Sequence, residues 1–174
     1  MSKDNWIIKA FLMTFFIAII FSSISNVIVD KCSNIIILVI INLLFISIGV
    51  LFDIIGTAVL TANESTFHAK SSKKIKGGKH GVYLIKNSNR IASICNDIIG
   101  DICGIVSGSI SAMIGLLLSN TLNISSVISL LIVSSLVSSI TVGGKAIGKK
   151  YSIKNSDEIV FLVSKILTKF KREI

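Results

Sequence analysis

A chain of 174 residues that is 52% hydrophobic, with a mean hydropathy of +0.83 and no proline, lacks the polar surface a water-soluble domain of this size needs. A bilayer removes that requirement, because the outside of a spanning helix must be apolar. The net charge of +9 comes from basic residues that, Lys9 apart, lie outside the apolar stretches, so the expected class is an all-α, polytopic integral membrane protein.

A spanning helix needs about 20 mostly apolar residues, and four stretches qualify: about 6–29, 35–61, 91–118 and 122–142. The first is too long for a secretory signal, and no small-residue cleavage site follows it. Lys and Arg mark the cytoplasmic side. All of them except Lys31 fall at the N-terminus, in the 62–90 segment or in the 143–174 tail. Four crossings place those three segments on one face, so both termini are expected in the cytoplasm, with short outer loops at 30–34 and 119–121. The localisation read from this is the cytoplasmic (inner) membrane.

The second helix carries Asp53. It lies eight residues before Thr61, about 12 Å from the cytoplasmic edge at about 1.5 Å rise per residue. The basic loop 62–90 follows, holding Lys70, Lys73, Lys74, Lys76, Lys79, Lys86 and Arg90 against the single acid Glu64. Beside spanning helices this cluster is read as a contact with anionic lipid and a topology signal, and no nucleic-acid partner is expected. Gly77-Gly78 divides the loop into two short helical stretches, and His68 and His80 read as solvated loop histidines.

The third helix brings Asn96, Asp97 and Asp101. Asp101 is ten residues from Ile91, at a depth matching Asp53, with Asp97 one turn away on the same face. A central Asp costs about 2.5–3.5 kcal/mol even on mild insertion scales. No Lys, Arg or His is expected at that depth, since Lys9, Arg90 and Lys145 belong near the inner surface. The acids therefore need either a protonated hydrogen-bonding network or a cation. Carboxylates, an amide oxygen and the nearby hydroxyls of Ser107 and Ser111 suit a hard ion such as Mg²⁺ or Ca²⁺. Gly100, Gly104, Gly108 and Ala112, at four-residue spacing, form a ridge on which another helix or a second subunit can pack closely. Cys32, Cys95 and Cys103 show no metal spacing, and no disulfide is expected.

The fourth helix adds Ser134, Ser135, Ser138, Ser139 and Thr141. In the tail, Ile159, Leu162, Val163, Ile166, Leu167 and Phe170 line one face of an amphipathic helix over 156–172, with Lys165, Lys169 and Lys171 opposite. Ser156 is its expected cap, with Asp157 and Glu158 in the first turn. No nucleophile–base spacing supports an enzyme.

Thr57-Ala58, the loop from Asn63 to Arg90, Ile94-Cys95-Asn96-Asp97-Ile98-Ile99 and Gly144-Lys145-Ala146-Ile147-Gly148-Lys149 follow one another in an order that resembles the transmembrane domain of the CorC/cyclin-M magnesium transporters, over about residues 52–167. Gly56 stands where that family has a glutamate before Thr-Ala. Gly100, Lys145 and Gly148 replace its second Asn and the Glu and Pro of its last motif. The first helix is additional, and the CBS domains have no counterpart. The resemblance implies a homodimer and maps Asn96 onto the family's intramembrane polar site. Two expectations follow: divalent-cation transport, Mg²⁺ foremost, through Asp53, Asn96, Asp97 and Asp101 with Ser107 and Ser111 as helpers; or a membrane scaffold that docks a partner through the glycine ridge and the basic loop.

Overall fold

The computed structural model describes residues 3–31 and 34–170, and every secondary-structure element among them is helical. In chain order these are α1 (Lys3–Lys31), α2 (Ile35–Thr61), α3 (Glu64–Ser72), α4 (Gly78–Lys86), α5 (Ser88–Ala92), a π-helical segment (Ser93–Gly100), α6 (Asp101–Leu122), α7 (Ser126–Lys154) and α8 (Ser156–Phe170). Four stretches are long and apolar enough to cross a membrane: Ile8–Val27, Ile35–Thr61, Ser88–Leu122 and Ser126–Lys154. Cys32 and residues 171–174 lie outside the described residues.

Two compact units emerge. The first comprises Met1–Val50 and Ile98–Gly144. In it α1 packs against α6, and Phe21 meets Phe45 edge-on with ring centroids 6.0 Å apart. Cys103, Val106 and Ile110 are almost wholly buried along α6. Helices approach closely where a side chain is missing. A Cβ at Gly115 would come within 3.1 Å of the Leu130 backbone, and one at Gly49 within 3.1 Å of Cys103 Cβ. Ser129 Oγ seals the first of these contacts by donating to the Gly115 carbonyl at 2.7 Å.

The second unit comprises Leu51–Asp97 and Lys145–Ile174. Its core gathers Ala58, Val59, Phe67, Leu84 and Val160, so α3, α4 and α8 are packed together rather than lying as separate surface stretches. Gly77-Gly78 divides the basic loop as expected. Gly77 adopts φ +95°, a left-handed conformation that glycine takes without strain. Polar bonds tie the start of α8 to the end of α2. The Asn63 N–H donates to Asp157 Oδ1 at 2.8 Å, while the Asn63 side chain caps α3 by accepting from the Ser65 N–H. Lys70 is half-buried, its ammonium 4.9 Å from the centroid of Phe67 and 4.2 Å from that of Phe161. Lys73, Lys74, Lys76 and Lys79 are exposed.

Three expectations need correction. The third long apolar helix begins at Ser88 and runs to Leu122, and its turn lies at 123–125, where Asn123 takes φ 51° as a left-handed C-cap. The fourth does not stop at Val142 but continues to Lys154. With no proline to break it, the Gly143-Gly144 pair stays helical, and Gly144 lets α7 pass Val50, whose Cγ2 would lie 3.2 Å from a Cβ there. His80 is not solvated: it is 5% exposed, on α4. His68 is exposed and meets Glu64 one turn away at 3.2 Å.

Candidate functional site

In the second unit, Asp53, Gly56, Asn96 and the end of α7 define the most unusual polar arrangement. Asp53 is 3% exposed, in the middle of an apolar helix. Its partner is one the sequence placed in a tail. Because α7 continues as helix, Lys149 and Ser152, one turn apart, reach α2. Ser152 Oγ donates to the Ile54 carbonyl at 2.6 Å, and Lys149 Nζ lies 3.8 Å from Asp53 Oδ2. The expectation that no base reaches Asp53 is thereby overturned. At 3.8 Å the pair is an ion pair without a hydrogen bond. The lysine side chain is half exposed while the carboxylate is not, and Asp53 Oδ2 has no hydrogen-bond donor.

Gly56 is three residues beyond Asp53, on the same side of α2. A Cβ there would overlap Asn96 Oδ1 and come within 3.1 Å of Cys95 Cβ, so the Asn96 amide fills the space a side chain would take. Asn96 sits in the π-helical segment, whose wider turn rotates successive side chains differently from an α-helix and which in other proteins often marks a functional position. Asn96 Oδ1 is also buried without a hydrogen-bond partner. Each such acceptor costs about 1–3 kcal/mol when left unmade. One is three residues from Gly56 on α2 and the other lies against it, and both are hard oxygens able to accept hydrogen bonds or bind a cation.

Asp97 is exposed. Asp101, Ser107 and Ser111 belong to the first unit, where Asp101 is exposed and both serines are buried. Ser111 Oγ donates to the Gly108 carbonyl at 2.7 Å, whereas Ser107 Oγ has no partner. Among the described residues, no three His, Cys, Asp or Glu side chains gather as a metal-binding group. Asp53 with Asn96 is therefore one carboxylate plus one amide.

The glycine ridge does not serve the packing within this chain that its spacing suggests. A Cβ at Gly104 or Gly108 would meet nothing within 4 Å. These glycines line an open groove of about 220 Å³ between α6 and α7, together with Ser107, Ser111, Ser138 and Thr141. Asn42, unremarked in the sequence, is 3% exposed with Oδ1 unpartnered and faces a small apolar cavity among Ile46, Ile114 and Val133. An Asn within 27 otherwise largely apolar residues of α2 was the available signal.

No protein-family model matches the chain, and no curated protein or solved structure matches it.

Proposed function

We propose that this chain is a membrane protein that binds a small cation at Asp53 and Asn96 and moves it across the cytoplasmic membrane, with Mg²⁺ as the foremost candidate. The observation that carries this reading is the pair of buried, donor-less oxygens, Asp53 Oδ2 and Asn96 Oδ1, flanking Gly56. It rests on those atoms and not on the resemblance to the CorC/cyclin-M family. Mg²⁺ keeps several waters and commonly takes only one or two carboxylates from a protein, so this donor set suits it better than it suits Ca²⁺, which takes 6–8 oxygens. Lys149 balances the Asp53 charge between transport events. Its half-exposed side chain can withdraw when a cation arrives, making it a tethered competitor. Asp97, exposed one residue beyond Asn96, adds negative charge at the approach. Four crossings with both termini cytoplasmic remain the orientation favoured by the lysines and arginines.

The test is Mg²⁺ uptake into proteoliposomes carrying an internal indicator. Asp53→Asn should lower uptake by about tenfold or more, the range seen even for outer-shell partners of metal sites, with Asn96→Leu showing a smaller loss. Lys149→Met should raise apparent affinity. Unchanged uptake in both Asp53→Asn and Asn96→Leu would sink the reading.

A second reading, docking of a second copy through the α6–α7 groove, is favoured by one observation: Ser107 Oγ is buried and unpartnered at the wall of a groove whose glycines touch nothing. Gly104→Leu should then leave the monomer's stability unchanged and convert a dimer in detergent to monomer. A protein that is monomeric before the substitution rules this reading out.

A further inference from the structure

The junction of α3, α4 and α8 encloses a cavity of about 300 Å³. Its lining includes Lys74 and Lys79, the hydroxyl residues Ser71 and Thr168, Gly77 and His80. Both lysines line the cavity while remaining exposed to solvent. Among the described residues, no acidic side chain lines it.

Two independent features point at the same kind of ligand. The first is the start of α4, a helix of nine residues. Its N-cap is Gly77, which has no side chain to cap the helix. The Gly78 N–H donates to the Ile75 carbonyl at 2.8 Å, and the N–H groups that follow it in the first turn carry the positive end of the helix dipole. Gly77 and Gly78 also let this backbone lie against its neighbours: a Cβ on Gly77 would come within 2.9 Å of Ser164 Oγ on α8, and one on Gly78 within 2.7 Å of the Ser71 nitrogen on α3. The second feature is His80. It is 5% exposed, its Nε2 has no hydrogen-bond partner, and it forms part of the cavity wall. Ordinary packing leaves such a nitrogen unsatisfied at a cost.

We infer that this cavity is a binding site for a phosphate group, either free or in the headgroup of an anionic phospholipid. The α4 N-terminus and the two lysines supply the positive field, and His80 supplies a directed donor. In its neutral Nε2–H tautomer His80 donates without changing charge. Lys74 and Lys79 act as point charges on the phosphate oxygens. A cation is repelled by the same lysines. This site is independent of the Asp53–Asn96 reading, so either can fail without the other. It also differs from a diffuse basic surface, because it assigns Lys74 and Lys79, but not the neighbouring Lys76, to the ligand.

The test uses the full chain, stripped of lipid in an uncharged detergent, with three probes. Inorganic phosphate is titrated calorimetrically. Dioctanoyl phosphatidylglycerol and dioctanoyl phosphatidylcholine are titrated with native mass spectrometry as readout. Phosphate or phosphatidylglycerol should bind more tightly than phosphatidylcholine. That binding should weaken about tenfold in Lys74→Ala/Lys79→Ala and about tenfold in His80→Phe, the change expected for losing a charge-assisted hydrogen bond. Lys76→Ala should leave it unchanged. Phosphatidylglycerol binding without phosphate binding identifies a lipid headgroup as the source, and phosphate binding alone identifies a soluble anion. If His80→Phe fails to fold, the lysine pair alone decides, since both side chains are exposed. Absence of binding by either anion, insensitivity to the lysine pair, or an equal effect from Lys76→Ala overturns the assignment.

Discussion

The two units differ in how many of their hydroxyls link one helix to another. In the first, Ser129 reaches across to Gly115, but most hydroxyls turn back on their own helix: Ser109 Oγ donates to Val106 O, Ser111 to Gly108, Ser139 to Ser135 and Thr141 to Val137, at 2.7–2.8 Å. Such bonds satisfy a hydroxyl without joining anything to anything else. In the second unit local bonds of the same kind, such as Thr168 to Ser164, are joined by three that cross between elements. Ser152 reaches Ile54, Ser156 reaches Thr61 and Asn63 reaches Asp157. The difference teaches where an unpaired polar atom carries information. Because α2 is held by such cross-links, it cannot simply rotate to hide Asp53, so the unmatched Asp53 oxygen is built into the packing. Ser107 stands out in the first unit for the converse reason, because its neighbours have found local acceptors and it has not.

The comparison can be broken first at its most buried aromatic. Phe67 is 0% exposed and lies against Gly81, at the centre of the α3–α4–α8 core. Phe67→Ala should cost about 3–5 kcal/mol, as large-to-small core changes do. Ile110→Ala, equally buried on α6, part of a helix long and apolar enough to cross a membrane, should cost less than half of that where α6 lies in a bilayer, which offers little hydrophobic gain for helix association, so that only packing is lost. Chemical denaturation in detergent micelles measures both. Equal losses would mean that the two cores sit in the same solvent.

Gly56 sharpens the comparison next. Gly56→Ala should destabilise by about 1–3 kcal/mol through overpacking on Asn96. Asn96→Ala in the same chain should recover most of that loss, a coupling that a double-mutant cycle reads directly. No recovery would mean that Asn96 is not the group held against α2.

The smallest effect separates cross-linking hydroxyls from self-satisfied ones. Ser152→Ala removes a bond between two helices and should cost about 1 kcal/mol, and more in cation uptake if Lys149 is released with it. Ser139→Ala should stay within about 0.5 kcal/mol. Thermal unfolding of the two variants side by side decides the point.

Much of this was legible along the chain. The four apolar stretches, the division of the basic loop at Gly77-Gly78 and the amphipathic α8 all depend on neighbours within a few residues, where helical period and composition carry the signal. Asp53 and Asn96 could be singled out for the same reason: a polar residue in an apolar helix is conspicuous wherever its partner lies. The partners were not legible. Lys149 meets Asp53 only because α7 runs through Gly143-Gly144, and whether a glycine pair ends a helix depends on what passes beside it. How the glycine ridge is used was not legible for a related reason. Small residues permit a close approach without requiring one, and this chain uses Gly115 and Gly49 while leaving Gly104 and Gly108 open.

By itself, then, the sequence determined the helices, their apolar faces and which residues sit expensively within them, because hydrophobic periodicity and side-chain chemistry are local properties. The tertiary structure alone decided which of those residues is buried, which is paired and which is left unmatched. It buried Asp53 and the Asn96 amide oxygen, left Asp53 Oδ2 and Asn96 Oδ1 without hydrogen bonds, set Lys149 beside Asp53, exposed Asp97 and Asp101, and turned His80 from a loop histidine into the wall of a cavity. Those outcomes depend on contacts between segments about forty to a hundred residues apart, where packing geometry rather than residue type settles which polar atoms find a partner.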